Sequence, residues 1–218
     1  MAVSMEAATA MIYREAGHRL LAQIRLCLVI SAIYGSDFPP DGPMTRLFEV
    51  RPDELIGDLA SGVHGLLRNA FPDDGPDEGD YYRAVGPPEV VLILCAGQLV
   101  FRHLGLYTRE VKIGNESLKI GMLGGIAVAP DRRRMGYGRA LVRHAHEHLT
   151  ARRIPFSILF AYEPRIYEGI GYKLMRNATH FIEPDGTPRT LIYRGSMYAE
   201  LSQRRWPNQL LDLRARTV

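Results

Sequence analysis

The most chemically pointed stretch of this sequence is residues 124–142, GGIAVAPDRRRMGYGRALV. An apolar run ends at Pro130, a short turn follows, and Arg134-Met135-Gly136-Tyr137-Gly138 opens a helical pattern. The first backbone N–H groups of a helix have no partner within it and point outward. The helix dipole adds partial positive charge at that end, which makes a strand–turn–helix of this kind an anion site. Gly136 and Gly138 carry no Cβ, so a phosphate can approach the backbone closely. Arg133 or Arg134 can add charge-assisted bonds. Arg132, Arg133 and Arg134, with Arg139 and Arg143, could also be read as a nucleic-acid patch. Lysine is scarce there and no aromatic platform accompanies it, so one anionic cofactor is the simpler explanation and nucleic acid is not expected as a partner.

With its neighbours, this segment resembles the GCN5-related N-acetyltransferase (GNAT) superfamily. Arg133-Arg134-Met135-Gly136-Tyr137-Gly138 matches that superfamily's Arg/Gln-x-x-Gly-x-Gly/Ala signature, and Ile126-Ala127-Val128-Ala129-Pro130 matches its fourth strand. Tyr167-Glu168-Gly169-Ile170-Gly171-Tyr172 matches its Tyr-Glu-x-x-Gly-Phe/Tyr segment at a fitting spacing. The likeness covers about residues 45–198. From Arg102 to Tyr172 the layout is loosely similar to aminoglycoside 2′-N-acetyltransferases and the rhizobial nodulation N-acyltransferase.

The resemblance implies an α/β fold, a mixed and mostly antiparallel sheet flanked by helices. It implies acyl transfer from a thioester to an amine, with acetyl-CoA as co-substrate and a small-molecule primary amine as acceptor. Arg133, Arg134, Met135, Gly136, Tyr137, Gly138 and Arg139 would hold the pyrophosphate. The backbone of Ile126, Ala127 and Val128 would bind the pantetheine arm as an added strand. A backbone N–H there would polarise the thioester carbonyl, an effect of roughly 3–4 kcal/mol per well-placed donor. Tyr167 stands where the family places its general acid, with Tyr162 as runner-up; a plain core aromatic is the alternative for Tyr167. Many members of the superfamily carry a general-base Glu about four residues before the position of Val128; here that position is Gly124. The amine proton is then left to Glu163, His103, His180 or the C-terminal carboxylate of Val218. Two rival functions follow: an N-acyltransferase using a longer acyl-CoA or acyl carrier protein, and a non-catalytic acyl-CoA-binding module.

The elements that must position these residues are legible in hydrophobic periodicity. Residues 46–50 alternate as a strand, and residues 52–70 place Leu55, Ile56, Leu59, Val63, Leu66 and Leu67 at helical spacing. Residues 90–94 read as a buried strand, and a second follows through Leu99 and Phe101. Gly114-Asn115 predicts a hairpin of two long strands. Gly124 and Gly125 within the second of these predict a bulge or a close ligand approach. A helix over 136–150 has Leu141, Ala145 and Leu149 on one face; a strand through 158–160, a short helix near Pro164 and a strand over 190–198 complete the order. His144 and His148 share a helix face without His146, which argues for a solvated face rather than a metal triad.

The chain has 218 residues, 46% apolar and 23% charged, with a net charge of +3. These are globular values that exclude a disordered or fibrous chain. Two cysteines, Cys27 and Cys95, make neither a disulfide framework nor a metal site and suit a reducing cytoplasm. Residues 20–34 form the most apolar run, but it is short and contains Gln23 and Arg25, so it reads as a docked helix rather than a membrane span. The expected organisation is an N-terminal helical extension over 1–43, an acetyltransferase domain over 44–200 and a tail over 201–218, where Trp206 packs on the body. The acidic residues Asp73, Asp74, Asp77, Glu78 and Asp80 predict an exposed loop. An exposed sheet edge leaves room for a homodimer.

Overall fold

The computed structural model describes residues 45–72, 82, 86–183 and 185–215. The expected helix over 20–34, the extension over 1–43, the acidic loop residues and Val218 lie outside them.

The architecture grows from one long hairpin. β3 (Leu99–Ile113) and β4 (Glu116–Val128) pair antiparallel about Gly114, whose φ of +59° is open to glycine at little cost. The first half of β3 takes β2 (Val90–Ala96), which in turn takes β1 (Thr45–Val50). The far end of β3 takes β10 (Leu211–Asp212), which lies parallel to β7 (Thr179–Ile182) and brings in β8 (Pro188–Leu191). On the other side β4 runs parallel to β5 (Phe156–Phe160), followed by β9 (Ser196–Glu200) and β6 (Lys173–Leu174). The sheet is mixed, mostly antiparallel and forked at β3.

Each face has its helix. On one, α1 (Gly57–Ala70) lays Val63, Leu66 and Leu67 over Val91, Ile93, Cys95 and Val100. On the other, α2 (Tyr137–Ala151) buries Leu141, Val142, Ala145 and Leu149 with Leu104, Leu106, Leu123 and Leu159. Each such aliphatic side chain contributes roughly 1.5–3 kcal/mol on full burial. α3 (Arg165–Glu168) is the short helix expected near Pro164.

Three expectations change. The helix expected over 52–70 is a single tight turn over Pro52–Glu54 and then α1 from Gly57, because Leu55 and Ile56 are extended, with Ile56 exposed. Residues 190–198 are not one strand: β8 ends at Leu191 and β9 starts at Ser196, with a turn between. The His144/His148 face is not simply solvated, because both side chains close on Glu49 of β1, at 2.9 Å (Nε2) and 3.1 Å (Nδ1). Trp206 is buried, stacked on Tyr198, with its indole N–H donating to Asn177 at 2.8 Å.

Candidate functional site

The site begins with a defect in β4. Its register with β3 runs from Glu116 to Gly124 opposite Gly105, then resumes with Ala127 opposite His103. Gly125 and Ile126 therefore stand together against Leu104, one residue in excess, which is the bulge the glycine pair predicts. Gly125 has φ +58°, strained for any residue with a Cβ. On its other edge β4 pairs with β5 only at Gly121, Met122 and Leu123. From Gly124 to Val128 that edge has no strand partner among the described residues. Ile126 packs toward the α2 side while Ala127 is buried on the α1 side.

Beyond β4, residues 130–132 form one helical turn and Gly136 caps α2 in the left-handed region, φ +78°. No side chain caps this helix start and no acidic residue lies in its first turn. Only from Arg139 do backbone N–H groups find an acceptor, the Gly136 carbonyl at 3.0 Å. Arg133, Arg134, Met135 and Gly136 are exposed around it, as is Arg139, whose guanidinium reaches Gly169 at the end of α3.

The sequence reasoning missed the most telling residue here. Arg102 of β3 is 3% exposed, and its Nε and Nη1 atoms have no hydrogen-bond partner. Its guanidinium lies 5.5 Å over the Tyr137 ring, and Nη1 would be 2.7 Å from a Cβ on Gly138. Burial lowers its pKa to about 10, so it stays protonated at neutral pH. A desolvated cation thus sits beneath the positive end of a helix with no carboxylate partner among the described residues. Buried charges are normally paired. This arrangement fits an anionic phosphate group, and a phosphorylated cofactor meets the test that the chain's own residues set. The one sequence signal was an arginine, beside His103, within the mostly apolar first half of β3 (Leu99–Leu106).

Tyr167 sits at the close of α3, half-buried and edge-on to Tyr172 with centroids 6.1 Å apart. Burial raises its pKa and the charge of Arg102 opposes that, so the phenol is protonated at neutral pH. Tyr172 is buried; its hydroxyl meets Ser157 at 2.6 Å and His146 at 3.1 Å. Burial keeps the His146 imidazole neutral, down to about 4. Tyr162, the other phenol considered, is 86% exposed. Of the proton acceptors considered, Glu163 is exposed ahead of α3 and His180 lies on β7, separated from β4 by β3 and β10. His103 lies directly under the bulge, its Nδ1–H donating to the Gly125 carbonyl at 2.7 Å.

Comparison with known proteins matches the same region. A family profile described as "Acetyltransferase (GNAT) domain" covers residues 56–175, more than half of the chain. A search of the curated proteins matches none. Among solved structures, a GNAT family N-acetyltransferase from Escherichia coli in complex with CoA is similar with TM-score 0.55 and 17% identity, over 80% of this chain and 93% of that one. A GNAT family acetyltransferase from Brucella melitensis in complex with acetyl-CoA is similar with TM-score 0.53 and 16% identity, over 78% and 95%. A probable N-acyltransferase from Enterococcus faecalis shows TM-score 0.52 and 14% identity over 61% of this chain, which spans only 33% of that longer one. A profile match over more than half the residues, on a sheet and helix start of this geometry, makes the chain a member of the GNAT acetyltransferase family.

Proposed function

We propose that this protein transfers an acetyl group from acetyl-CoA to a primary amine of a small molecule. The observation that carries this is the α2 start: a helix N-terminus with no side-chain cap, the unpartnered Nε and Nη1 of Arg102 beneath it, and beside it the edge of β4 that has no strand partner among the described residues. Backbone N–H groups of residues 134–138, with Arg133, Arg134 and Arg139 around them, suit a pyrophosphate from above. Arg102 suits it from below. The edge over 124–128 suits the amides of a pantetheine arm. Acetyl-CoA held there would supply an activated acyl carbon: the amine lone pair forms the new C–N bond, the C–S bond breaks, the nitrogen releases one proton to solvent and the thiolate takes one up.

The protein's share is placement and protons. Ile126 N–H stabilises negative charge on the carbonyl oxygen. Tyr167, held protonated by burial, donates its proton to the departing sulfur and regains one from solvent. Arg102 keeps the transient phenolate tolerable.

Thermal-shift titration with acetyl-CoA, CoA and a long-chain acyl-CoA tests the reading. At about 100 times Kd, binding adds roughly 2.7 kcal/mol, a Tm rise of about 5–10 °C for a chain of this size. A rise with acetyl-CoA, followed by acceptor-dependent thiol release in an amine screen, supports the proposal. A rise with the long-chain donor alone replaces acetyl by a longer acyl group. No rise with any of them removes the cofactor assignment.

A further inference from the structure

Acyl transfer puts negative charge on a carbonyl oxygen, and the reading above assigns the Ile126 N–H of β4 to meet it. That peptide lies in the least constrained part of the strand. Gly124 and Gly125 are adjacent, Gly125 is in the left-handed region, and neither Gly125 nor Ile126 has a partner in the β3 register. A glycine there can turn its peptide either way at small cost. Something must choose one orientation.

One side chain is placed to do so. His103 is fully buried, at 0% exposure, and both ring nitrogens are engaged. The Gly125 carbonyl can only accept, so Nδ1 carries the proton. Nε2 is then the acceptor, and the Tyr82 hydroxyl donates to it. Tyr82 is itself packed in the α1-side core with Val63, Leu67 and Ile93. Burial, opposed only in part by the Gly125 bond, holds the imidazole neutral, and the charge of His64 acts in the same direction as burial. The Gly125 carbonyl and the Ile126 N–H belong to one planar trans peptide and point in opposite directions. Fixing the carbonyl on the His103 side chain turns the Ile126 N–H to the opposite side of the peptide, away from His103, in the stretch of β4 that β5 leaves unpaired beyond Leu123.

We propose that His103, steadied by Tyr82, is a positioning residue that locks the Gly125–Ile126 peptide so that the Ile126 N–H faces the carbonyl oxygen of the bound thioester. The inference rests on the acyl-transfer reading above. His103 touches no substrate atom and transfers no proton; with Nε2 occupied by Tyr82, it holds one peptide in place.

The test uses the full chain and three variants: His103→Leu, His103→Asn and Tyr82→Phe. The readouts are kcat, Kd for CoA (which lacks the acyl carbonyl) and the infrared carbonyl band of bound acetyl-CoA labelled with 13C at the carbonyl. His103→Leu lowers kcat about 100-fold, the scale of losing one oxyanion donor. It leaves Kd for CoA within about twofold and moves the labelled band back toward its solution position. Asn retains an N–H close to Nδ1, so His103→Asn recovers most of the rate and the band shift. Tyr82→Phe lowers kcat several-fold with CoA binding intact, and it keeps the proposal testable if His103→Leu does not fold. Wild-type turnover with unchanged kcat and band in the variants overturns the His103 role alone. Equal losses in kcat and CoA affinity also overturn it, showing a merely structural part. A wild-type protein that neither shifts the band nor releases thiol with any amine overturns the acyl-transfer reading and this role with it.

Discussion

Replacing Arg102 by Met should make the ligand-free protein more stable and the cofactor complex weaker. The fall of the Arg102 pKa from 12.5 to about 10 corresponds to ~3 kcal/mol against the charged form in the folded state. The unfolded chain binds this proton more tightly, so stability gains from this site only as pH rises above about 10, and at pH 7 the full penalty is present. Met keeps most of the buried stem and removes the charge. Against that gain stands the lost cation–π contact with Tyr137, about 1 kcal/mol. The net expectation is about 1–2 kcal/mol of added stability, a Tm rise of roughly 2–8 °C at this chain length. In the complex the sign reverses. A hydrogen bond from a charged donor to a phosphate contributes ~1.5–3 kcal/mol, so Kd for CoA should rise about 10- to 150-fold. Differential scanning fluorimetry with and without CoA, together with calorimetric titration, reads both. Arg102→Lys should fall between, since it keeps charge and loses the planar fork. An Arg102→Met protein that melts lower without ligand and binds CoA as tightly as the parent would refute the reasoning on both counts.

Three further outcomes follow from the same geometry. Tyr167→Phe should lower kcat by roughly 10²–10⁴ with KM for acetyl-CoA within about twofold, measured by thiol release; an unchanged kcat removes the acid role. Gly136→Val forces a branched side chain to φ +78°, strain of about 1–3 kcal/mol at the helix cap, and should abolish the CoA-dependent Tm rise. Glu49 sits below its ordinary pKa chiefly through the hydrogen bond with His144, with burial opposing and His148 adding. Its contribution is therefore present above pH 4.5 and lost as pH falls through the lower folded value. Glu49→Gln should cost about 1 kcal/mol near neutrality, and in a pH series of Tm the gap between variant and parent should close in acid.

The long elements and the glycine-bearing turn before α2 were readable because local sequence fixes them. Leu141, Ala145 and Leu149 repeat at helical spacing, the Gly114 turn closes a hairpin, and the glycine pair marks the bulge. What escaped depends on distant parts of the chain. The β6 and β10 strands have two residues each and exist only because longer strands template them. His144 and His148 looked solvated on their own helix; their partner Glu49 lies 95 residues from His144. Arg102 has no sequence signature of being unpaired, since that is a statement about what does not surround it. The place of His103 is equally invisible until the bulge brings the Gly125 carbonyl over its ring.

On the acyl-transfer reading, a glycine at 124, where many relatives carry a glutamate, has a kinetic consequence. No Asp or Glu lies on β4 from Gly121 to Val128, and the left-handed φ of Gly125 bars a carboxylate there without strain. His103 is neutral, buried and already bonded at both nitrogens, so an imidazolium there would be desolvated and would lose the Tyr82 donor. His180 is across the sheet. For the amine acceptor proposed above, the proton should then leave through solvent, and the reactive species should be the fraction of amine already neutral. For an alkyl amine of pKa near ~10.4 that fraction is about 10⁻³ at pH 7.4. The logarithm of kcat/KM should accordingly rise with unit slope through neutrality and level off near the pKa of whichever amine is used, moving from one acceptor to the next. Amines of lower pKa should be preferred at pH 7 when matched for size. A plateau at one fixed pH for every acceptor would instead report a base belonging to the protein, and would turn the search to Glu163, the exposed carboxylate ahead of α3.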